Sequence, residues 1–393
     1  MQRFKPLNFL FYISVFSLSL GQFALLSRSG EAPIYAFDAI LGLYVFLGLF
    51  IHLTSKKKIS LTKVHLGFLL FSVLAVISLI PRITTLPLEE LFISTFYLIR
   101  WVIYLIASVI TYNLLKSKQL KLDSFVRVFL FSALLISIAG FVQLVVLPDF
   151  TTLDASLGWD PHKNRLPSVF FDPNFTGGYL ALVLGFVSSL HFYKIRKLRL
   201  AEIFVYLPFI LVALFLTFSR SSWGMLALII LALGVFKARW LLLVALIVGF
   251  STYYAVPRVQ TRLSGTTDPS DSAAFRLVSW KNTFDIAKDN YLLGVGFNTF
   301  RFTQQDYGYV DPGTTGGNSA AGSDSSLLLV LATTGILGFL AFMFSFLGVY
   351  RSVFLLPLVL GLLLHAQFVN SLFYPQIMFA WLSMWGTSSL YRT

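Results

Sequence analysis

The chain has 393 residues, 57% of them hydrophobic and only 12% charged, with a mean hydropathy of +0.79. Soluble domains carry about 25% charged residues, so this composition excludes a set of soluble domains and points to an integral membrane protein. With no cysteine there is no disulfide and no thiolate metal site, and the net charge of +13 must be placed against a bilayer before it is read as a nucleic-acid signal.

A membrane span needs about 20 mostly apolar residues. Twelve segments are candidates: 8–26, 34–53, 64–81, 91–115, 126–147, 175–193, 201–218, 221–236, 240–256, 325–348, 353–369 and 372–390. The first is not read as a cleavable signal, because it is long, lacks a small-residue cleavage site and is followed by further spans. If the N-terminus is cytoplasmic, 18 of the 30 basic residues fall on cytoplasmic segments, where Asp123 and Glu202 are the only acids. Every short loop on that side is then basic, as the positive-inside rule requires. The expectation is an all-α polytopic membrane protein of about 12 transmembrane helices, with both termini inside.

Residues 1–393 are expected to form one transmembrane domain with two long outer loops, 148–174 and 257–323. In the second, residues 272–288 (SAAFRLVSWKNTFDIAK) read as a helix. Ser272 suits its cap, and Leu277, Trp280, Phe284 and Ala287 make an apolar stripe at helical spacing. LLGVGFNTF follows as a glycine-broken turn; its GVG, residues 294–296, lacks the spacing of a nucleotide loop. The soft stretch DPGTTGGNSAAGSD reads as a lid or linker, with residues 306–323 as the candidate lid.

Three spans open with polar signatures at the outer face. Asp172, Pro173 and Asn174 head the sixth; Ser219, Arg220, Ser221, Ser222 and Trp223 head the eighth; Asp324 lies between serines at the head of the tenth. Helix N-termini present unpaired N–H groups and favour anions, but Ser, Asp and Pro are also ordinary helix starters. Arg220 is different. It sits between two apolar runs with almost no loop to carry it away, which is expensive unless it works, and its guanidinium suits phosphate oxygens. Arg100, inside the fourth span, either pairs locally or touches a lipid phosphate. Among the loop cations Arg165, Arg258, Arg262, Arg276, Lys281 and Arg301, Arg276 is the best candidate, because its amphipathic helix can lie over the membrane and aim it inward. His365, near the end of the eleventh span, is either packed or a binding group. No carboxylate lies deep in a span, which argues against an ion-coupled transporter.

In order along the chain, RLPSVFFDPNFTGGYLAL, LTFSRSSWGMLAL, FRLVSWKNTF…LLGVGFNTF and DSSLLLVLATTGILGF resemble the O-antigen ligase and polymerase-like superfamily of bacterial membrane glycosyltransferases. The resemblance spans roughly residues 90–375, and HAQFVNSLF from His365 faintly echoes a histidine-containing family segment. It implies a glycosyltransferase C-like helical fold in the cytoplasmic membrane with an outward-facing site. The implied donor is a glycan on undecaprenyl diphosphate, and the acceptor is a lipid, protein or glycan hydroxyl. No nucleotide sugar, metal or other cofactor is implied, and no nucleic acid. Arg220 and Arg276 match arginines thought to hold the pyrophosphate.

Ligases of this family commonly carry a His-Asn-Ser-Tyr-Leu-type segment before the glycine of the tenth span. Counted back from Gly335, that histidine falls on Asp324. An aspartate there would act as a base or orient the acceptor hydroxyl. Burial would raise its pKa and a nearby arginine would lower it. The expected catalytic residues are therefore Arg220, Arg276 and Asp324. Arg100, Arg165, Asp172, Asn174, Ser219, Trp223 and His365 are the expected substrate-binding residues. A polysaccharide polymerase and a non-enzymatic lipid-glycan flippase are the competing readings.

Overall fold

The computed structural model describes residues 5–29, 32–55, 58–153, 161–265, 272–310, 322–349 and 352–391. Most of the expected lid, from 311 to 321, lies outside these residues, as do Arg3, Lys56, Lys57, Arg351 and Arg392 of the charge pattern.

The protein is a helical polytopic membrane protein, 78% helical. The chain opens with α1 (Lys5–Leu18), a short antiparallel pair β1 (Leu25–Ser29) and β2 (Ala32–Tyr35), and α2 (Ala36–Thr54). Then come α3 (Lys63–Leu79), α4 (Leu88–Lys116), α5 (Leu122–Val146), α6 (Pro173–Phe192), α7 (Leu207–Leu216), α8 (Arg220–Phe236) and α9 (Trp240–Ala255). The remainder comprises α10 (Pro257–Ser264), α11 (Ser272–Asp289), α12 (Phe300–Asp306), α13 (Ser326–Leu347), α14 (Leu356–Phe368) and α15 (Pro375–Gly386).

Each of the twelve apolar segments contains a helix, but their lengths do not show twelve full spans. Among the described residues six helices are long and apolar enough to cross a bilayer, or seven if α9 and α10, bent by 97°, are one span. The shortfall has local causes. α1 stops after 14 residues, and the chain turns through Gly21 (φ +49°) into the β1–β2 pair. The apolar helices Glu202–Leu216, Arg220–Phe236 and Val353–Phe368 are shorter than a full span.

Aromatic rings fill the core. Phe68 of α3 lies 5.6 Å from Trp101 of α4, 5.5 Å from Phe342 of α13 and 5.3 Å from Trp381 of α15, in edge-on contacts. The exterior is apolar too: α9 has no buried residue, and Phe46, Leu53 and Val145 are largely exposed, a surface suited to lipid tails. Asp123 and Glu202 are both paired. Arg196 donates to Asp123 Oδ1 (2.8 Å) and Glu202 Oε2 (2.8 Å), and Arg199 reaches Asp123 Oδ2 (2.6 Å).

α13 is broken in the middle. Gly335 has φ +64° and ψ −171°, and a Cβ there would lie 2.2 Å from Leu292 O, so no other residue fits. Segment 291–296 crosses at the break and repairs the backbone. Val295 N–H donates to Ala332 O (2.9 Å), Gly296 N–H to Thr333 O (3.0 Å), and Ile336 N–H to Tyr291 O (2.7 Å). Irregular backbone inside an apolar bundle survives only when its polar groups are satisfied this way. The glycine-broken turn read from LLGVGFNTF is thus the partner of a broken helix, which the sequence reading did not anticipate.

Candidate active site

The heads of α6, α8 and α13 and the tail of α14 are drawn together by side-chain hydrogen bonds. Asp172 is the N-cap of α6, its Oδ1 accepting from the N–H groups of Asn174 (2.6 Å) and Phe175 (3.2 Å). Ser219 caps α8, accepting from Ser222 N–H (3.4 Å) and donating to Asn174 Oδ1 (2.9 Å). Arg165 donates to the same Asn174 oxygen (3.2 Å) and to Thr217 O (2.9 Å). Ser222 Oγ lies 3.2 Å from His365 Nε2, bringing α14 onto the first turn of α8. Further along, Gln367 Oε1 accepts from Ser325 Oγ (3.3 Å), which ties the same end of α14 to the head of α13.

Arg220, the first residue of α8, points away from this buried knot. Its Nη1 donates to Arg262 O (3.1 Å) and its Nη2 to Ser272 Oγ (3.1 Å). Arg276 Nη1 reaches the same Ser272 oxygen at 3.5 Å. Two guanidinium groups from different helices therefore converge on one oxygen atom. Guanidinium geometry suits the oxygens of a phosphate or carboxylate.

α11 packs on α13 and carries a polar stripe whose Ser279 and Thr283 meet the head of that helix. Ser272, Arg276, Ser279 and Thr283 recur at helical spacing on one face. Asp324 N–H donates to Ser279 Oγ (3.1 Å), and Thr283 Oγ1 lies 2.8 Å from Ser323 Oγ. Trp280 packs on Phe368 of α14 with ring centroids 5.5 Å apart. Asp324 does not cap α13; Ser325 does, accepting from Leu328 N–H (3.2 Å). Asp324 is half-buried at the mouth of the site, within the same α11 framework as Arg276.

The expected apolar stripe of α11 is divided by this packing: Ala287 is buried and Trp280 lies on Phe368, whereas Leu277 and Phe284 are 63% and 55% exposed. Ser272 is the first residue of the helix, and its hydroxyl serves the arginines.

The other expected residues divide. Arg165, Asn174, Ser219 and His365 lie in the knot beneath Arg220, and Asp172 is the cap of α6. Trp223 stacks on Phe215 (5.6 Å, 10°), a packing contact. Arg100 is elsewhere in the hydrogen-bond map: it pairs with Asp38 (2.8 Å), donates to Pro33 O, and lies 4.8 Å from the Phe96 ring centroid. Asp38 in turn accepts from Tyr35 N–H (3.0 Å) and Tyr104 OH (2.5 Å). Arg258 bridges the two long loops through Asn164 O and Lys163 O.

Sequence reasoning missed Ser279 and Gln367, and it read Ser222 and Ser272 only as residues of helix starts. The serine run 219–222 and the spacing of polar residues in 272–283 were the available signals.

No curated protein matches this chain. Residues 205–343 match the family model described as O-Antigen ligase. The matched stretch holds Arg220, Arg276 and Asp324 together with the broken helix, and it supports placing the chain in the O-antigen ligase-like superfamily.

Proposed function

We propose that the protein is an O-antigen ligase-like glycosyltransferase with a glycosyltransferase C-like fold, working in the bacterial cytoplasmic membrane with both termini inside and the site facing outward. Its donor is a glycan carried on undecaprenyl diphosphate, and its acceptor is a hydroxyl on a lipid, protein or glycan. The acceptor oxygen attacks the anomeric carbon, the bond from that carbon to the diphosphate oxygen breaks, and undecaprenyl diphosphate leaves. The proton of the acceptor hydroxyl passes to Asp324 or, if Asp324 only orients the hydroxyl, to water.

The observation that carries this reading is the convergence of Arg220 and Arg276 on one oxygen position. The leaving diphosphate gains negative charge in the transition state. Donors already arranged around it stabilise that charge without reorganising where water is scarce. Arg165, Asn174, Ser219 and His365 support the head of α8 from which Arg220 projects.

A polysaccharide polymerase differs only in taking a second lipid-linked glycan as acceptor. Asp324, in place of the histidine common in ligases, favours keeping that reading beside the first. A lipid-glycan flippase would move the donor without breaking the sugar–phosphate bond. Loss of undecaprenyl diphosphate release in Arg220→Ala, at normal protein level, is the expected result; full release by that variant would remove the assignment.

A further inference from the structure

Asp324 is held in place from outside its own helix. Its N–H is taken by Ser279 of α11 (3.1 Å), and its neighbour Ser323 is joined to Thr283 of α11 through hydroxyls 2.8 Å apart. Ser323 Oγ also accepts Ser325 N–H (3.2 Å), so the three residues before α13 are fixed against α11 as a unit. Capping of α13 falls to Ser325. The Asp324 carboxyl therefore projects from a segment whose position α11 sets.

α11 is also the helix that carries Arg276. Ser279 follows it by three residues, a rise of about 4.5 Å along one rigid element. A nucleophile must meet its carbon at roughly 3–3.5 Å, and a displacement of about 1 Å costs on the order of a hundredfold in rate. A single helix holding both an anion-binding arginine and the backbone of the acceptor-side acid fixes that separation better than two independent loops.

We infer that Ser279 is a positioning residue for Asp324, through which α11 registers the acceptor side of the site against the anion held at Arg276, an inference that rests on the glycosyl-transfer reading for the identity of that anion. An alanine at this position leaves the Asp324 N–H without its partner, and the head of α13 loosens. Threonine keeps an oxygen there and retains the contact.

The test uses the full chain in lipid nanodiscs, as wild type, Ser279→Ala, Ser279→Thr and Arg276→Ala, with inorganic pyrophosphate as the anion probe. Hydrogen exchange across residues 322–328 is read with and without pyrophosphate, and turnover is read on a lipid-linked glycan. Faster exchange in Ser279→Ala is expected, with a fall in kcat of about tenfold or more, donor KM within about twofold of wild type, and both restored in Ser279→Thr. Pyrophosphate should slow the exchange in wild type but not in Ser279→Ala or Arg276→Ala. Exchange and kcat in Ser279→Ala equal to wild type would overturn the assignment. So would a loss of donor binding as large as the loss of kcat, which marks a merely structural role. If Ser279→Ala speeds exchange while pyrophosphate protects no variant, the positioning stands and the diphosphate reading fails.

Discussion

Arg220 and Arg276 meet at Ser272 Oγ, one nitrogen of each within 3.5 Å of that atom. Arg220 is carried by the first turn of α8 and Arg276 by the second turn of α11, so in the proposed function both stand in place before the diphosphate arrives. Preorganised charge of this kind is the largest single term in many enzymes.

Removal of either guanidinium should therefore act on the transition state. Arg220→Ala and Arg276→Ala are each expected to lower turnover by about 10²–10³-fold. Arg220→Lys should recover only part, because an ammonium cannot give the two parallel hydrogen bonds of a guanidinium. The double variant should lose less than the product of the single losses, since the two groups act as a unit. Single-turnover measurements of diphosphate release check all three, and independent, multiplicative losses would argue against a shared anion.

Asp172 and Asp324 should separate cleanly despite their similar settings. Asp172 caps α6, so Asp172→Ala is expected to lower stability by about 1 kcal/mol. The N-cap of α13 is Ser325 and not Asp324, so Asp324→Ala should lower Tm less than Asp172→Ala does and should impair transfer. Thermal unfolding in detergent, read beside activity, tests the pair. A fall in Tm for Asp324→Ala as large as that for Asp172→Ala would return it to a structural role.

Gly335 should tolerate no side chain. With φ +64° and Leu292 O 2.2 Å from a built Cβ, Gly335→Ala strains the backbone and drives segment 291–296 out of the break. The expected cost is about 3 kcal/mol or more, visible as lost folded protein on size-exclusion chromatography. A well-folded Gly335→Ala variant would mean that α13 closes without the crossing segment.

Arg100 and Asp38 should behave as a buried ion pair. Their side chains are 3% and 13% exposed. Asp38→Ala leaves the guanidinium uncompensated and is expected to cost about 3–5 kcal/mol, whereas a joint replacement by apolar residues should cost less. Chemical denaturation of the single and double variants measures the difference, and a denaturation midpoint for Asp38→Ala equal to wild type would contradict it.

Asp149 gives a pH signature to the first long loop. Hydrogen bonds from Thr151, then the Lys163 ammonium, hold its carboxyl down to about 2, against an ordinary value of 3.8. A depressed folded pKa adds stability above the unfolded value that is lost as pH falls through the folded one. The Asp149–Lys163 contact (3.0 Å) should thus persist at pH 4 and open only as the pH falls through about 2. A nitroxide at Lys163→Cys is unsuitable because it removes the partner, so Thr152→Cys is the reporting site. Unchanged mobility across that window, or an unaltered profile in Asp149→Asn, would count against the contact.

The helices were legible because apolar runs bounded by basic loops leave few alternatives in a bilayer. Their lengths were less so. Hydropathy does not register the turn at Gly21 that follows the end of α1. Arg220 stood out through the cost of an arginine between apolar runs, and its meeting with Arg276 at Ser272 is a tertiary contact. The division of the α11 stripe was obscured because Leu277 and Phe284 have helical spacing whichever side they face. Periodicity shows that a helix has two faces and leaves open which one meets the protein. The pairing of Arg100 with Asp38, 62 residues away, is a tertiary fact with no local signal.

The most direct measurement is release of undecaprenyl diphosphate by purified protein in lipid, given a lipid-linked glycan and an acceptor-rich membrane extract, with Arg220→Ala and Asp324→Ala alongside. Release by the wild type, abolished in Arg220→Ala and reduced in Asp324→Ala, is the predicted result. Binding of the lipid-linked glycan with no release, or equal release from wild type and Arg220→Ala, would contradict the account.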